Sequence, residues 1–193
     1  MTEPKDKESI AMPRLNAVDP ARATGKAKDL LAAVKAQLGL TPNMMRTMAT
    51  SPAVLEGYLS LGTALAGGSL PARLREQVAL VVAEANGCDY CLSAHTALGR
   101  LAGLKDDEIA RSREAASTDP KTEAVLRFAV AVVAERGNVS DEEFAQVRGA
   151  GFSDGEIAEI LAHVAINTFT NYFNKAAGTA IDFPRVEAAR KSA

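Results

Sequence analysis

The stretch Asn-Gly-Cys-Asp-Tyr-Cys-Leu-Ser-Ala-His, residues 86–95, holds both cysteines of the 193-residue chain and one of its two histidines. Two thiols three apart, with an imidazole four residues further on, offer three chemistries: metal ligation, a structural disulfide or a redox-active dithiol. A structural zinc takes four ligands, commonly from two CxxC-like pairs. Here there are two thiols and one nearby imidazole, and His163 lies far along the chain. Neither a metal nor a cofactor is therefore expected. A disulfide across so short a loop would stabilise little. A dithiol that opens and closes fits the pattern best, because CxxC at a helix start is an established redox arrangement.

On a helix, steps of three and seven residues return to nearly the same face. Cys88, Cys91 and His95 can then share one stripe, with Asn86-Gly87 setting the start and Asp89 as a candidate cap. The partial positive charge of a helix N-terminus stabilises a nearby thiolate. A free thiol, with a pKa of about 8.5, is only slightly ionised at neutral pH, and lowering it by about two units is worth roughly 2.7 kcal/mol. The helix terminus favours Cys88 as the thiolate. His95, one turn beyond Cys91, can instead take the proton of Cys91 or stabilise its anion. An imidazole in such a role needs orienting, usually by a carboxylate. Glu76, twelve residues before Cys88 on the preceding helical segment, is the candidate. The alternative is that Glu76 is solvated and pairs with Arg73 or Arg75.

Around this centre the pattern is helical almost throughout, and no strand alternation is sustained. Helices are expected over 21–38, after Thr41-Pro42, and over 53–66, 72–86, 89–102, 106–116, 120–136 and 154–177. Ser51-Pro52, Pro71 and Asp119-Pro120 mark starts. Ser140 with Glu143, and Ser153 with Glu156, fit capping boxes. Residues 1–20, with three prolines, read as an extended arm before a single all-helical domain, 21–193. Asp182-Phe183-Pro184 reads as a turn before a short polar tail. Ala102–Ala110 (AGLKDDEIA) echoes Ala150–Ala158 (AGFSDGEIA), and 80–87 echoes 131–138. An internal helix-turn-helix duplication, with 120–160 as the second copy, would explain both; alanine-rich helices alike by chance would as well. Only the first copy carries the redox motif, 76–95.

Apolar residues make up 47%, aromatics 5%, and the formal net charge is −2. This composition supports a sizeable core and argues against nucleic acid or an anionic membrane surface as partner. Residues 1–10 lack the apolar run of a secretory signal, and no segment is apolar for long enough to span a bilayer. A cytoplasmic protein is expected, where a CxxC pair rests reduced. His163 is expected in the core or at an interface. Asn167, Asn171 and Asn174 share nearby helix faces and either line a pocket or interface or lie on the surface. Met44, Met45 and Met48 are expected as core or as the lining of an apolar channel. Asp106, Asp107 and Glu108 read as a solvated helix start.

Glu76, eleven residues, Cys88-x-x-Cys91, three residues, His95: this signature resembles the alkylhydroperoxidase D and carboxymuconolactone decarboxylase superfamily. The resemblance extends over roughly residues 45–185 and is strongest to the peroxidase-related branch, through Asn171-Tyr172-Phe173-Asn174 and Asp182-Phe183-Pro184. It implies an all-α, alkylhydroperoxidase D-like bundle that assembles as a homo-oligomer, a trimer or hexamer. It also implies thiol peroxidase activity, with a hydroperoxide as substrate and a dithiol or thioredoxin-like protein as reductant. The position matching Cys91 would attack the peroxide, the position matching Cys88 would close the disulfide, and Glu76 with His95 would form a proton relay. Cys88, seven residues from His95, is expected to be the more exposed thiol. One departure stands out: where alkylhydroperoxidase D has a further relay histidine, this chain has Tyr90, a poor base at neutral pH that can still donate a hydrogen bond to peroxide. The decarboxylase branch typically lacks the cysteine pair, which disfavours lactone decarboxylation. A dithiol redox sensor or disulfide relay without turnover would carry the same motif, and a silent oligomer binding an apolar ligand is a third possibility.

Overall fold

Proline, serine and glycine set most of the helix boundaries. The computed structural model describes residues 13–189 and shows nine helices there, with no strand. They are α1 (Gly25–Leu38), α2 (Asn43–Met48), α3 (Pro52–Ala66), α4 (Ala72–Ala85), α5 (Asp89–Leu101), α6 (Asp106–Arg113), α7 (Pro120–Ala134), α8 (Asp141–Gly149) and α9 (Asp154–Ala177). Asp119 caps α7 by accepting from the amides of Lys121 and Thr122, with Pro120 in the first turn. Ser140 and Ser153 form the expected capping boxes with Glu143 and Glu156. Each such cap fills orphan amides that would otherwise cost about 1 kcal/mol.

Several boundaries differ from expectation, each for a local reason. The first helix begins at Gly25, not at 21, because Asp19 folds a turn over Pro20, its side chain accepting from the Ala21 amide and its carbonyl from that of Arg22. α6 stops at Arg113 because Ala115 takes a left-handed φ of 56° and the Ala116 amide returns to the Arg111 carbonyl. Pro42, not Thr41, is the N-cap of α2. A proline side chain cannot accept, so partners from afar fill the α2 amides: Asp182 Oδ2 accepts from Asn43 at 2.7 Å and the Tyr90 hydroxyl from Met44 at 3.1 Å. Of the expected arm, positions 1–12 lie outside the described residues. Its remainder is tied down, with Val18 and Arg46 bonded in both directions and the Arg14 amide on the Ala177 carbonyl.

α4 is the pivot. Eight of its fourteen residues are buried, and it packs against α5, α6, α7 and α9. Leu74, Val78, Val81 and Val82 enter a cluster with Val125, Leu126, Phe128, Ile157 and Ile160. Leu80 and Ala83 enter a second cluster with Leu31, Met48, Leu55, Leu92 and both cysteines. Burying each valine or leucine contributes about 1.5–3 kcal/mol, so α4 is held by two cores at once. No described helix is long and apolar enough to cross a membrane.

The two echoing segments fold alike locally. Gly103 and Gly151 both follow a helix end with left-handed φ of 87° and 89°, and Glu108 and Glu156 each accept from the amide three residues earlier. Of the short polar tail expected from sequence, the 185–189 segment is packed down. It crosses the start of α5: the amides of Val186, Ala188 and Ala189 donate to Ser93 Oγ, Asp89 Oδ1 and Glu84 Oε1. Its polar side chains point out while its backbone and the side chains of Val186 and Ala188 are used for packing.

Gly87 turns the chain from α4 to α5 with a φ of +61°. A methyl group there would meet only Lys175 Nζ at 3.8 Å. Gly87→Ala is therefore expected to cost about 1–2 kcal/mol through backbone conformation alone, measurable as a lowered urea midpoint at an unchanged m-value.

Candidate active site

At the end of α4 the Gly87 amide bonds the Glu84 carbonyl and the Cys88 amide bonds that of Ala83, a Schellman closure. Cys88 is then both the last residue of that closure and the N-cap of α5. Its extended backbone (φ −105°) precedes the helix, and its Sγ accepts from the Cys91 amide at 3.3 Å. Asp89, the candidate cap, is instead the first helical residue, and its carboxylate holds Ala188. The cap geometry brings Cys88 over Cys91: their Cα atoms are 5.3 Å apart and the two sulfurs are bonded as a disulfide.

Both cysteines are buried, Cys88 at 1% and Cys91 at 2% exposure. Cys88 is thus not the more exposed thiol. The 185–189 segment lying over the start of α5, and Phe183, Val186 and Ala188 packing on the cluster that holds both cysteines, account for the difference.

His95 lies one turn beyond Cys91 on α5. Its Nδ1 is 2.8 Å from Glu76 Oε2 on α4, and both side chains are about one-fifth exposed. With Nδ1–H donating to the carboxylate, Nε2 is the nitrogen left free to exchange a proton. Arg73 and Arg75 are both engaged elsewhere. Arg73 bonds the Gly103 carbonyl and pairs with Glu108, and Arg75 bonds the carbonyls of Leu65 and Ala66. The half-buried Tyr58 stands close enough to Glu76 to feel its charge; burial first, then that carboxylate, push the phenol up to about 12.

Tyr90 lies beside the cysteines but is occupied. Its hydroxyl accepts from the Met44 amide, and its proton goes to Asp182. Burial first of all raises its pKa far above the usual phenol range, against the pull of the Met44 N–H, and Asp182 adds to the rise. Its ring meets Phe183 edge-on at 5.9 Å. Tyr90 thus ties α5 to α2 and to the Asp182-Phe183 segment.

All three asparagines of α9 are buried. Asn167 bonds back to the His163 carbonyl, and Asn171 Oδ1 accepts from Asn86 Nδ2 at 3.0 Å. Asn174 Nδ2 lies 3.2 Å from Met44 Sδ and 3.5 Å from Cys91 Sγ. This contact with sulfur was not foreseen; polar residues at i, i+4 and i+7 on an otherwise apolar helix were the available signal. Met44, Met45 and Met48 are core residues. His163 is buried on α9 with Nε2 unpaired; burial pulls its pKa down, helped by Arg75 and opposed by Glu159 and Glu76. No cluster of three or more metal-binding side chains occurs among the described residues.

An all-α protein with a buried dithiol at a helix start, backed by a Glu–His pair, is the class defined by this fold and site. The sequence profile of the Carboxymuconolactone decarboxylase family matches residues 52–135. A peroxidase-related protein with an alkylhydroperoxidase AhpD core from Ralstonia eutropha JMP134 is similar in structure at 26% identity and a TM-score of 0.78, over 88% of this chain and 92% of that one. A peroxidase-related protein from Silicibacter sp. TM1040 follows at 22% identity and 0.76, covering 93% and 94%. The debrominase Bmp8, in complex with 2,3,4-tribromopyrrole, shares the fold at 22% identity and 0.75, covering 87% and 91%. No curated protein sequence matches. Over residues 52–135 the chain is thus similar to the Carboxymuconolactone decarboxylase family, and its fold is similar to that of the alkylhydroperoxidase AhpD core.

The raised phenol of Tyr58 carries a pH prediction. Its folded pKa of about 12 exceeds the unfolded value of 10.0. Its contribution to stability is fully present below the unfolded value and is lost as pH rises through the folded one. Denaturant titrations across this window should show falling stability, and Tyr58→Phe should flatten that fall.

Proposed function

We propose that this protein is a thiol-dependent hydroperoxide reductase, with Cys91 as the attacking sulfur, Cys88 as the resolving sulfur, and His95 held by Glu76 as the proton carrier. The observation that carries this is the Nδ1–Oε2 bond of 2.8 Å between His95 and Glu76, made across two helices one turn from a bonded CxxC pair. A carboxylate on Nδ1 leaves Nε2 to accept a proton from Cys91 and stabilises the imidazolium that results.

In the cycle, the Cys91 thiolate attacks the terminal peroxide oxygen. The S–O bond forms as the O–O bond breaks, and the alkoxide leaves as alcohol with the proton held by His95. The Cys88 thiol then displaces hydroxide from the sulfenic acid, releasing water and closing the disulfide. A dithiol reductant restores both thiols and leaves as its own disulfide. Hydroperoxide and dithiol become alcohol, water and oxidised reductant. A cycle of this kind belongs in a reducing compartment such as the cytoplasm. The near-complete burial of both sulfurs favours small reactants that enter over direct exchange with a large folded partner, as a sensor or relay would require. Exposed Leu61 on α3, with Phe169 and Tyr172 on α9, supports a homo-oligomer; sedimentation should show a species larger than the monomer.

The test is steady-state hydroperoxide reduction with several dithiols. Cys91→Ser should abolish turnover. Cys88→Ser should leave one oxidation event followed by stalling or over-oxidation. Glu76→Gln should lower kcat/KM by about 100-fold or more, the scale of a lost general base. Wild-type consumption of peroxide no faster than the uncatalysed oxidation of the same dithiol would sink the proposal.

A further inference from the structure

Asn174 is the polar side chain that α9 places on the dithiol. It is 3% exposed, and its Nδ2 is 3.5 Å from Cys91 Sγ, an ordinary N–H···S separation given the radius of sulfur. The same amide nitrogen reaches Met44 Sδ at 3.2 Å, so both acceptors within its reach are sulfurs. The other end, Oδ1, is buried with no hydrogen-bond partner. A buried amide kept only for packing has both ends satisfied, since an unfilled one costs free energy. Here one end is unfilled and the other is spent on two weak acceptors. That arrangement gains most when one of those sulfurs becomes an anion, because hydrogen bonds to charged groups are about twice as strong.

The two cysteines are served by different donors. Cys88 Sγ already receives the Cys91 amide at the helix terminus. Cys91 Sγ lies inside the first turn and depends on a side chain from another helix. We infer that Asn174 is a catalytic residue of this dithiol, whose Nδ2–H donates to the Cys91 thiolate once the disulfide is opened and makes Cys91 a competent nucleophile beside a helix-capping Cys88. This deepens the thiol-reductase proposal and rests on it for its place in turnover. The titratable groups on the surrounding elements include Cys88, Asp89, Tyr90 and His95 on α5, Tyr58 on α3, Glu76 and Glu84 on α4, Asp182 behind Tyr90, and Lys175 on α9, whose ammonium binds the Asn86 carbonyl. All but Cys88, which is replaced in the starting protein, are common to the proteins compared in the test, so a difference isolates the amide.

The experiment uses the full chain carrying Cys88→Ser, so that Cys91 is the single thiol, with and without Asn174→Leu. The pH dependence of iodoacetamide alkylation is read in both. The midpoint should rise by about one unit in the Leu variant, the scale of one charge-assisted hydrogen bond. Alkylation should slow about tenfold near neutral pH and recover at alkaline pH. A folded variant with an unmoved midpoint, or one slowed equally at every pH, overturns the inference. Where circular dichroism shows the Leu variant unfolded, Asn174→Asp decides: it fits the same space, loses the donor and adds negative charge, so its midpoint must rise at least as far. The readout needs no peroxide. A raised midpoint beside a wild-type protein without peroxide turnover would keep Asn174 as the thiolate's donor and remove only the peroxidase proposal.

Discussion

The site rests on the double duty of Cys88. Its amide closes α4 and its sulfur caps α5, so a single residue joins the two helices that carry Glu76 and His95. No spacer is left in which the helices could drift. The left-handed Gly87 makes the reversal possible, and the direction of the reversal puts the imidazole against the carboxylate. A cysteine is a weak cap compared with serine or aspartate. Its use here makes sense where the capping atom also has to do chemistry, because the helix-terminal charge that a cap feels is the charge that eases ionisation of a thiol.

Burial of α4 in two hydrophobic clusters gives this joint its rigidity. Val78, Val81 and Val82 lock one side against α7 and α9, while Leu80 and Ala83 face the cysteine cluster. Glu76 therefore sits on an element with little freedom, and an acid that must hold an imidazole in one tautomer benefits from that. α9 brings an amide to the sulfur of Cys91, and residues 185–189 lie over the start of α5. The sulfurs are thus enclosed by α4, by α9 and by the 185–189 segment.

The family match over 52–135 spans α3 to α7, which includes the acid, both sulfurs and the imidazole. The asparagines and the closing segment lie beyond it. The stretch that matches the family profile and the enclosure around the sulfurs thus come from different parts of the chain.

Local chemistry made much of this readable in one dimension. Capping boxes at Ser140 and Ser153, prolines in the first turns of α3 and α7, and 3.6-residue periodicity specify helices through hydrogen bonds and sterics a few residues wide. The Cys88, Cys91 and His95 spacing is a property of one helix, so it too was visible. Other features required contacts between residues far apart in sequence. Glu76 could have paired with Arg73 or Arg75, and only the departure of both arginines to other carbonyls and to Glu108 leaves it for His95. Cys88 looked exposed until the 185–189 segment folded over α5, and Tyr90 looked free until Met44 and Asp182 took its hydroxyl. Periodicity tells which residues share a face; which partner wins each polar group depends on how the helices pack, and that is a property of the whole chain.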